Sequence, residues 1–99
     1  MSGDAEKVAP DVAKVLFEND RLRVLEIKLK RRQKMPMHYH PASVIYALTS
    51  DRAKFTMPDG KSQVAKTKKG QVMWTDGGSH AVENLKDTAS ISLVIELKK

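Results

Sequence analysis

Met35-Pro36-Met37-His38-Tyr39-His40-Pro41 is the stretch from which the fold can be read. It holds two of the chain's three histidines, at positions i and i+2. Successive side chains on an extended strand alternate faces, so His38 and His40 point the same way, roughly 7 Å apart. Two imidazoles so placed can approach one ion from one side. The third histidine, His80, follows the Gly-rich turn Asp76-Gly77-Gly78-Ser79. The expectation is that folding carries His80 to the His38/His40 pair.

Working outward, short strands alternate with turn signals. Residues 1–12 are polar, contain Pro10 and read as a flexible N-terminal arm, with the domain proper at 13–99. Ala13–Phe17 is a strand candidate closed by Glu18-Asn19-Asp20. In the next stretch Leu25, Ile27 and Leu29 alternate with Glu26, Lys28 and Lys30, a period of two that marks a half-buried strand. Beyond the histidines come Ser43–Thr49, rich in strand formers, and Ala53–Met57. The latter turns through Pro58-Asp59-Gly60 into Lys61–Thr67. Gln71–Thr75, His80–Asn84 and the cleanly alternating Ile91–Leu97 complete the pattern. Eight or nine strands with no convincing helix predict an all-β sandwich or barrel, and a small barrel closes its edges best.

A chain of 99 residues supports one core. The absence of cysteine leaves imidazole, carboxylate, carbonyl and water as the only metal donors, and excludes disulfides and thiol nucleophiles. No apolar run approaches the length of a transmembrane helix, and the first residues lack the apolar core of a signal peptide, so a cytoplasmic address is expected. The net charge of +6 raises a nucleic-acid reading, with basic clusters at residues 28–34 and 66–69. Only five aromatic residues are present, none interleaved with those clusters as base stacking requires, so no nucleic-acid partner is expected. A basic surface would instead favour a small anionic ligand.

Two segments together resemble the cupin superfamily. His38-Tyr39-His40 matches the His-x-His of its first motif. Gly70-Gln-Val-Met-Trp-Thr-Asp-Gly77-Gly-Ser-His80-Ala-Val-Glu-Asn84 supplies the opening Gly, the Gly-x-x-His and the His-x-x-x-Asn of its second. The spacing before Gly77 is one residue short, and Thr75 stands where the family often has Pro. The resemblance covers roughly residues 21–97. It implies a double-stranded β-helix, a jelly-roll barrel holding one divalent metal (Fe2+, Mn2+, Zn2+ or Ni2+) on His38, His40 and His80. The family's fourth ligand, a glutamate, is missing: its place falls on Val44, flanked by Ser43 and Ile45.

Without that carboxylate a bound ion keeps its full double charge and at least one open position. Its affinity should fall and its Lewis acidity should rise. Three-histidine cupins include iron(II) dioxygenases, so the resemblance permits a metal-dependent oxygenase, or an isomerase or lyase, acting on a small oxygenated or anionic molecule. No serine or lysine has an activating partner, so no catalytic residue beyond the ligand set is assigned. Val44, Tyr46 and Trp74 are candidate cavity-lining residues, with packing in the sheet as the plainer role for the two aromatics. Against the enzyme stand a non-catalytic module that binds metal or small molecules and a structural cupin that works by association. A homodimer is expected, since a short barrel leaves sheet edges to cover.

Overall fold

The computed structural model describes residues 4–98. Nine strands follow in order: β1 Ala13–Glu18, β2 Leu22–Leu29, β3 Lys34–His40, β4 Ser43–Ala47, β5 Asp51–Thr56, β6 Ser62–Thr67, β7 Val72–Thr75, β8 Gly78–Asn84 and β9 Ser90–Leu97. They form a five-stranded sheet, β1-β2-β9-β4-β7, and a four-stranded sheet, β3-β8-β5-β6, with every pairing antiparallel. Strands far apart in sequence lie side by side, as β2 and β9 or β3 and β8 do. This is the all-β architecture that the alternation and turn signals predict, in the jelly-roll form that the resemblance implies.

The N-terminal segment differs from the flexible arm expected over residues 1–12. Residues 1–3 lie outside the described residues. From Asp4 onward the chain is packed: Ala5–Val8 forms a helical turn, α1, and Ala5, Ala9 and Val12 are buried with Leu25, Leu29 and Met35. Only Ala5 lies within α1; Ala9 caps it and Val12 follows in the turn, and together they cover the barrel from one side. Two of the three are alanines, whose small side chains carry little hydropathy but allow α1 to lie close on the barrel. Asp4 also bridges to Tyr39, tying the segment to the histidine strand.

A β-bulge in β3 decides which way its histidines face. Lys34 and Met35 pair with Glu83 and Val82, whereas His38 pairs with His80, so β3 carries one extra residue across that interval. Strict alternation from the buried Met35 would turn His38 outward. The extra residue at Pro36-Met37 resets the phase, and Met35, His38 and His40 all end up buried while Met37 is exposed. Proline has no N–H to give the ladder, which makes Pro36 suited to an irregularity.

Two residues of the second motif fix the neighbouring connections. Gly77 has φ +96, and a Cβ there would lie 2.8 Å from the His40 carbonyl oxygen and 2.8 Å from the Pro41 carbonyl carbon. Only glycine lets the β7–β8 turn approach the end of β3 so closely. Asn84 is buried, and its side-chain amide donates to the carbonyls of Lys30 and Thr88 at 3.0 Å while its oxygen accepts from the Lys86 N–H. It joins the end of β8 to two loops.

The outer face of the five-stranded sheet carries an apolar row at one end, with Lys14, Glu26 and Lys28 on the same face towards the other. Phe17, Val24, Ile95, Val44 and Trp74 are register partners in turn across all five strands. Tyr46 and Val72 extend the patch as a neighbouring cross-strand pair. No helix among the described residues is long and apolar enough to cross a membrane.

Candidate metal centre

His38 and His80 are directly paired across β3 and β8, and His40 lies one inward position further along β3. The ring centroids are 4.7 Å apart for His38–His40, 4.7 Å for His38–His80 and 5.5 Å for His40–His80. One nitrogen from each ring lies within 4.8 Å of the other two. The structure thus brings together all three histidines that the sequence singles out, from two segments that only the fold makes adjacent.

Two of the rings have their free nitrogen fixed by what the other nitrogen does. His38 Nδ1 lies 2.7 Å from the carbonyl oxygen of Pro36, the residue at the bulge. A carbonyl only accepts, so Nδ1 carries the proton and Nε2 keeps a lone pair. His40 Nδ1 lies 2.6 Å from Glu96 Oε2, which fixes the same tautomer. Neither ring nitrogen of His80 has a hydrogen-bond partner among the described residues. Orienting a ligand imidazole through its second nitrogen is the usual support for a metal site, and it fits this donor set.

Electrostatics keep these rings ready to bind. Burial lowers the His38 pKa from its ordinary 6.5, although the Pro36 hydrogen bond opposes the shift. Burial, followed by the neighbouring His38 and His40, brings His80 down to about 4. A metal requires the neutral form, which both shifts favour, His80 keeping it down to about pH 4.

Glu96, which the sequence reading did not single out, is the carboxylate nearest this centre's chemistry. It is 1% exposed, and its Oε1 accepts from Arg23 Nη2 at 2.6 Å and Nε at 2.9 Å while Oε2 accepts from His40 Nδ1. Burial would raise its pKa, but the bonds from His40 and Arg23 outweigh that and hold it below the ordinary 4.5. Arg23 continues to Glu6 at 2.8 Å and Asp4 at 3.5 Å, linking the N-terminal segment to His40. A signal was present: Arg23 shares the inward phase of Leu25, Ile27 and Leu29, and a buried arginine calls for a buried carboxylate. Both oxygens of Glu96 are engaged, so it orients His40 and does not replace the absent fourth ligand.

The histidines open into a cavity of about 470 Å³ inside the barrel. Of the predicted lining residues, Trp74 lines the cavity, while Val44 and Tyr46 are corrected by strand phase. Val44 and Tyr46 face the outer side of β4, while Ser43, Ile45 and Ala47 face in, with Ile45 and Ala47 on the cavity wall. Ile45, next to Val44, is thus an inward residue on that wall and offers no metal donor. Trp74 borders the cavity, but it is the cross-strand partner of Val44, 55% exposed, and its Nε1 donates to Asp76. Phe55 packs its ring 5.3 Å from that of His80.

No protein-family model matches the chain, and no curated protein matches it either. Solved structures do. A cupin domain from Bordetella pertussis Tohama I is 24% identical with a TM-score of 0.83, covering 89% of this chain and 93% of that one. An RmlC-like cupin family protein with a double-stranded β-helix fold, from Methanocaldococcus jannaschii, is 17% identical with a TM-score of 0.68. It covers 88% of this chain and 79% of that one. The polyketide cyclase RemF from Streptomyces resistomycificus is 18% identical with a TM-score of 0.66, covering 88% of this chain and 64% of that one. At such identities the likeness shows the fold.

Proposed function

From a small cupin-fold domain with three imidazoles converging on its cavity, we propose a divalent-metal site on His38, His40 and His80 that serves a metal-dependent enzyme. The observation that carries the reading is the pair of tautomers fixed by Pro36 and Glu96, which leave Nε2 lone pairs free on two adjacent inward rings. A neutral nitrogen set of this kind suits Fe2+, Zn2+ or Ni2+ better than Mn2+, which prefers oxygen donors. When bound, the ion supplies Lewis acidity and open coordination positions for an oxygen-bearing substrate.

The chain's own residues define the rest. Glu96 and the Pro36 carbonyl hold a proton on Nδ1 of His40 and His38, and Ile45 adds an apolar wall that offers no metal donor. The carboxylate that lines the cavity, Asp51, is bound to Thr49 and Lys86. Both bonds fall on Asp51 Oδ1 and hold it against Lys86, and among the described residues no other carboxylate and no lysine lines the cavity as a base, which favours dioxygenase-like chemistry over a lyase or isomerase. One structural neighbour, RemF, is a polyketide cyclase, in keeping with an enzyme on this scaffold.

Anaerobic reconstitution with iron(II), followed by oxygen-uptake assays on 1,3-diketones, thiols and hydroxy acids, tests the proposal. Turnover above the metal-free protein is expected. Tight metal binding with no turnover on any of these would favour a non-catalytic binding module, the reading that the missing fourth ligand supports. We also place the protein in the cytoplasm as a homodimer, associated through the apolar row on the outer face of β1, β2, β9, β4 and β7. A charge-free row is self-complementary under a two-fold axis. Sedimentation should show a dimer that Trp74→Glu weakens, and a monomer at high micromolar concentration would refute it.

A further inference from the structure

The basic composition points to an anionic ligand, yet the positive charge lies elsewhere. Among the described residues, none that lines the histidine cavity is a lysine or an arginine. Arg52, Lys66, Lys68 and Lys86 border a separate open depression, which meets the cavity only at Asp51 and Thr67. Lys86 is already committed there, donating to Asp51 and to the Ser50 carbonyl. The walls around the histidines are instead Ile45, Phe55, Met35, Val82 and Val94. At the far end from His40, Ser90 and Ser92 add neutral hydroxyl-bearing side chains on the inward face of β9.

We propose that the cavity selects a ligand with one oxygen-donor head and an uncharged apolar or aromatic body, and rejects compact polyanions. The proposal rests on the three-histidine metal reading, which supplies the partner for the head. An ion held by three neutral imidazoles keeps its double charge, which a head that chelates it answers at the metal itself. A carboxylate that reaches past the ion would be buried against apolar wall with no cation to pair it, at high cost. An apolar body gains by leaving water for the same wall, and a cavity of about 470 Å³ has room for a substituted ring. Phe55, beside His80, offers a ring face or edge at the point where head meets body.

The test uses the cobalt(II)-loaded protein, whose visible bands report on the coordination of the ion. It is titrated with acetohydroxamate, hexanohydroxamate and benzohydroxamate, which share one head, and with oxalate and citrate. Affinities are referred to those of free cobalt for the same compounds. Benzohydroxamate is expected to bind roughly 10- to 50-fold more tightly than acetohydroxamate, as the added buried apolar area implies. Oxalate and citrate should bind no better than acetohydroxamate. Ala53→Leu narrows the chamber from β5 and should abolish the advantage of the larger body while leaving the cobalt bands and acetohydroxamate affinity unchanged. Ala65→Leu, at its cross-strand partner, makes the same comparison if the first variant does not fold. Cobalt bands with a flat series, or with citrate tightest, would overturn the substrate inference and leave the metal site standing. An advantage that survives both narrowing variants would overturn it equally. Absence of cobalt binding would remove the metal reading, and the inference with it.

Discussion

Substituting Glu96 with glutamine asks how far one side chain governs another. The shape is kept, and the amide oxygen can still accept from Arg23. The amide N–H2, however, would face His40 Nδ1 where a carboxylate now accepts. Nδ1 would then have to accept, moving the ring proton to Nε2 and blocking the lone pair that faces the centre. Metal affinity should fall about 10- to 100-fold, the usual range for loss of a ligand-orienting partner. Calorimetric titration with zinc at pH 7.5 would check this, and an unchanged affinity would show that Glu96 is structural only. Protonation gives a second prediction at the same scale. His38 and His80 have folded-state pKa values below the ordinary 6.5 of the unfolded chain, His80 at about 4. As pH falls below 6.5 the unfolded state takes up protons that the fold refuses, so stability declines between about 6.5 and 4. Glu96 acts in the same direction: its depressed pKa contributes stability above the ordinary 4.5 that is lost as pH falls through the folded value. Each kcal/mol lost lowers Tm by about 4–8 °C in a domain of this size. The metal-free protein should therefore melt several degrees lower at pH 5 than at pH 7.5, and His80→Gln should flatten part of that slope. A Tm independent of pH over this range would contradict the burial of these rings.

Elements show where the sequence could be read and where it could not. A period of two identifies a strand but not which phase faces inward. In β9 the apolar Ile91, Leu93 and Ile95 alternate with Ser90, Ser92, Val94 and Glu96, and it is the second, more polar set that faces the cavity. For the same reason Val44 and Tyr46 read as cavity residues although the strand turns them outward. The histidines were legible because a bound ion needs donors in one place, which leaves a fixed spacing in the chain. Arg23 was legible only as an inward arginine in need of a carboxylate, and Glu96 as its partner was not, since their meeting depends on the β2–β9 register, which only the folded sheet sets. The bulge in β3 was equally hidden. Pro36 and Met37 give no count of facing residues until β8 is paired alongside. Where the motif did carry geometry, it did so through Gly77, and this can be tested. Gly77→Ala meets both a positive φ and backbone atoms at 2.8 Å, while Gly78→Ala, at φ +130, meets open space. The first should cost about 2–4 kcal/mol and the second less, because it carries backbone strain alone. Denaturant midpoints of the two variants would decide it. Equal losses would mean that the close approach of the β7–β8 turn to His40 does not matter.

At the scale of the whole molecule, the site exists only once the barrel closes. His38 and His40 come from β3 and His80 from β8, and the support of Glu96 comes from β9, at the other end of the chain. The unfolded chain keeps the two nearby histidines but loses the third and the carboxylate that orients one of them. A metal that binds only the closed form adds its binding free energy to folding, by RT ln(1 + [M]/Kd). At a free concentration one hundred times Kd this amounts to about 2.7 kcal/mol. For a domain of this size that corresponds to a rise in Tm of about 10–20 °C. The rise should be reversed by a chelator, and it should be absent in His80→Ala, which leaves only the local pair. It should also shrink in Arg23→Met, which touches no histidine but removes the cation that holds Glu96 in place. Thermal melts at pH 7.5 with zinc, nickel or anaerobic iron(II) make the comparison. If metal raised the Tm of the wild type and of His80→Ala alike, the ions would be binding at the exposed surface. The barrel would then be assembling something other than a three-histidine centre.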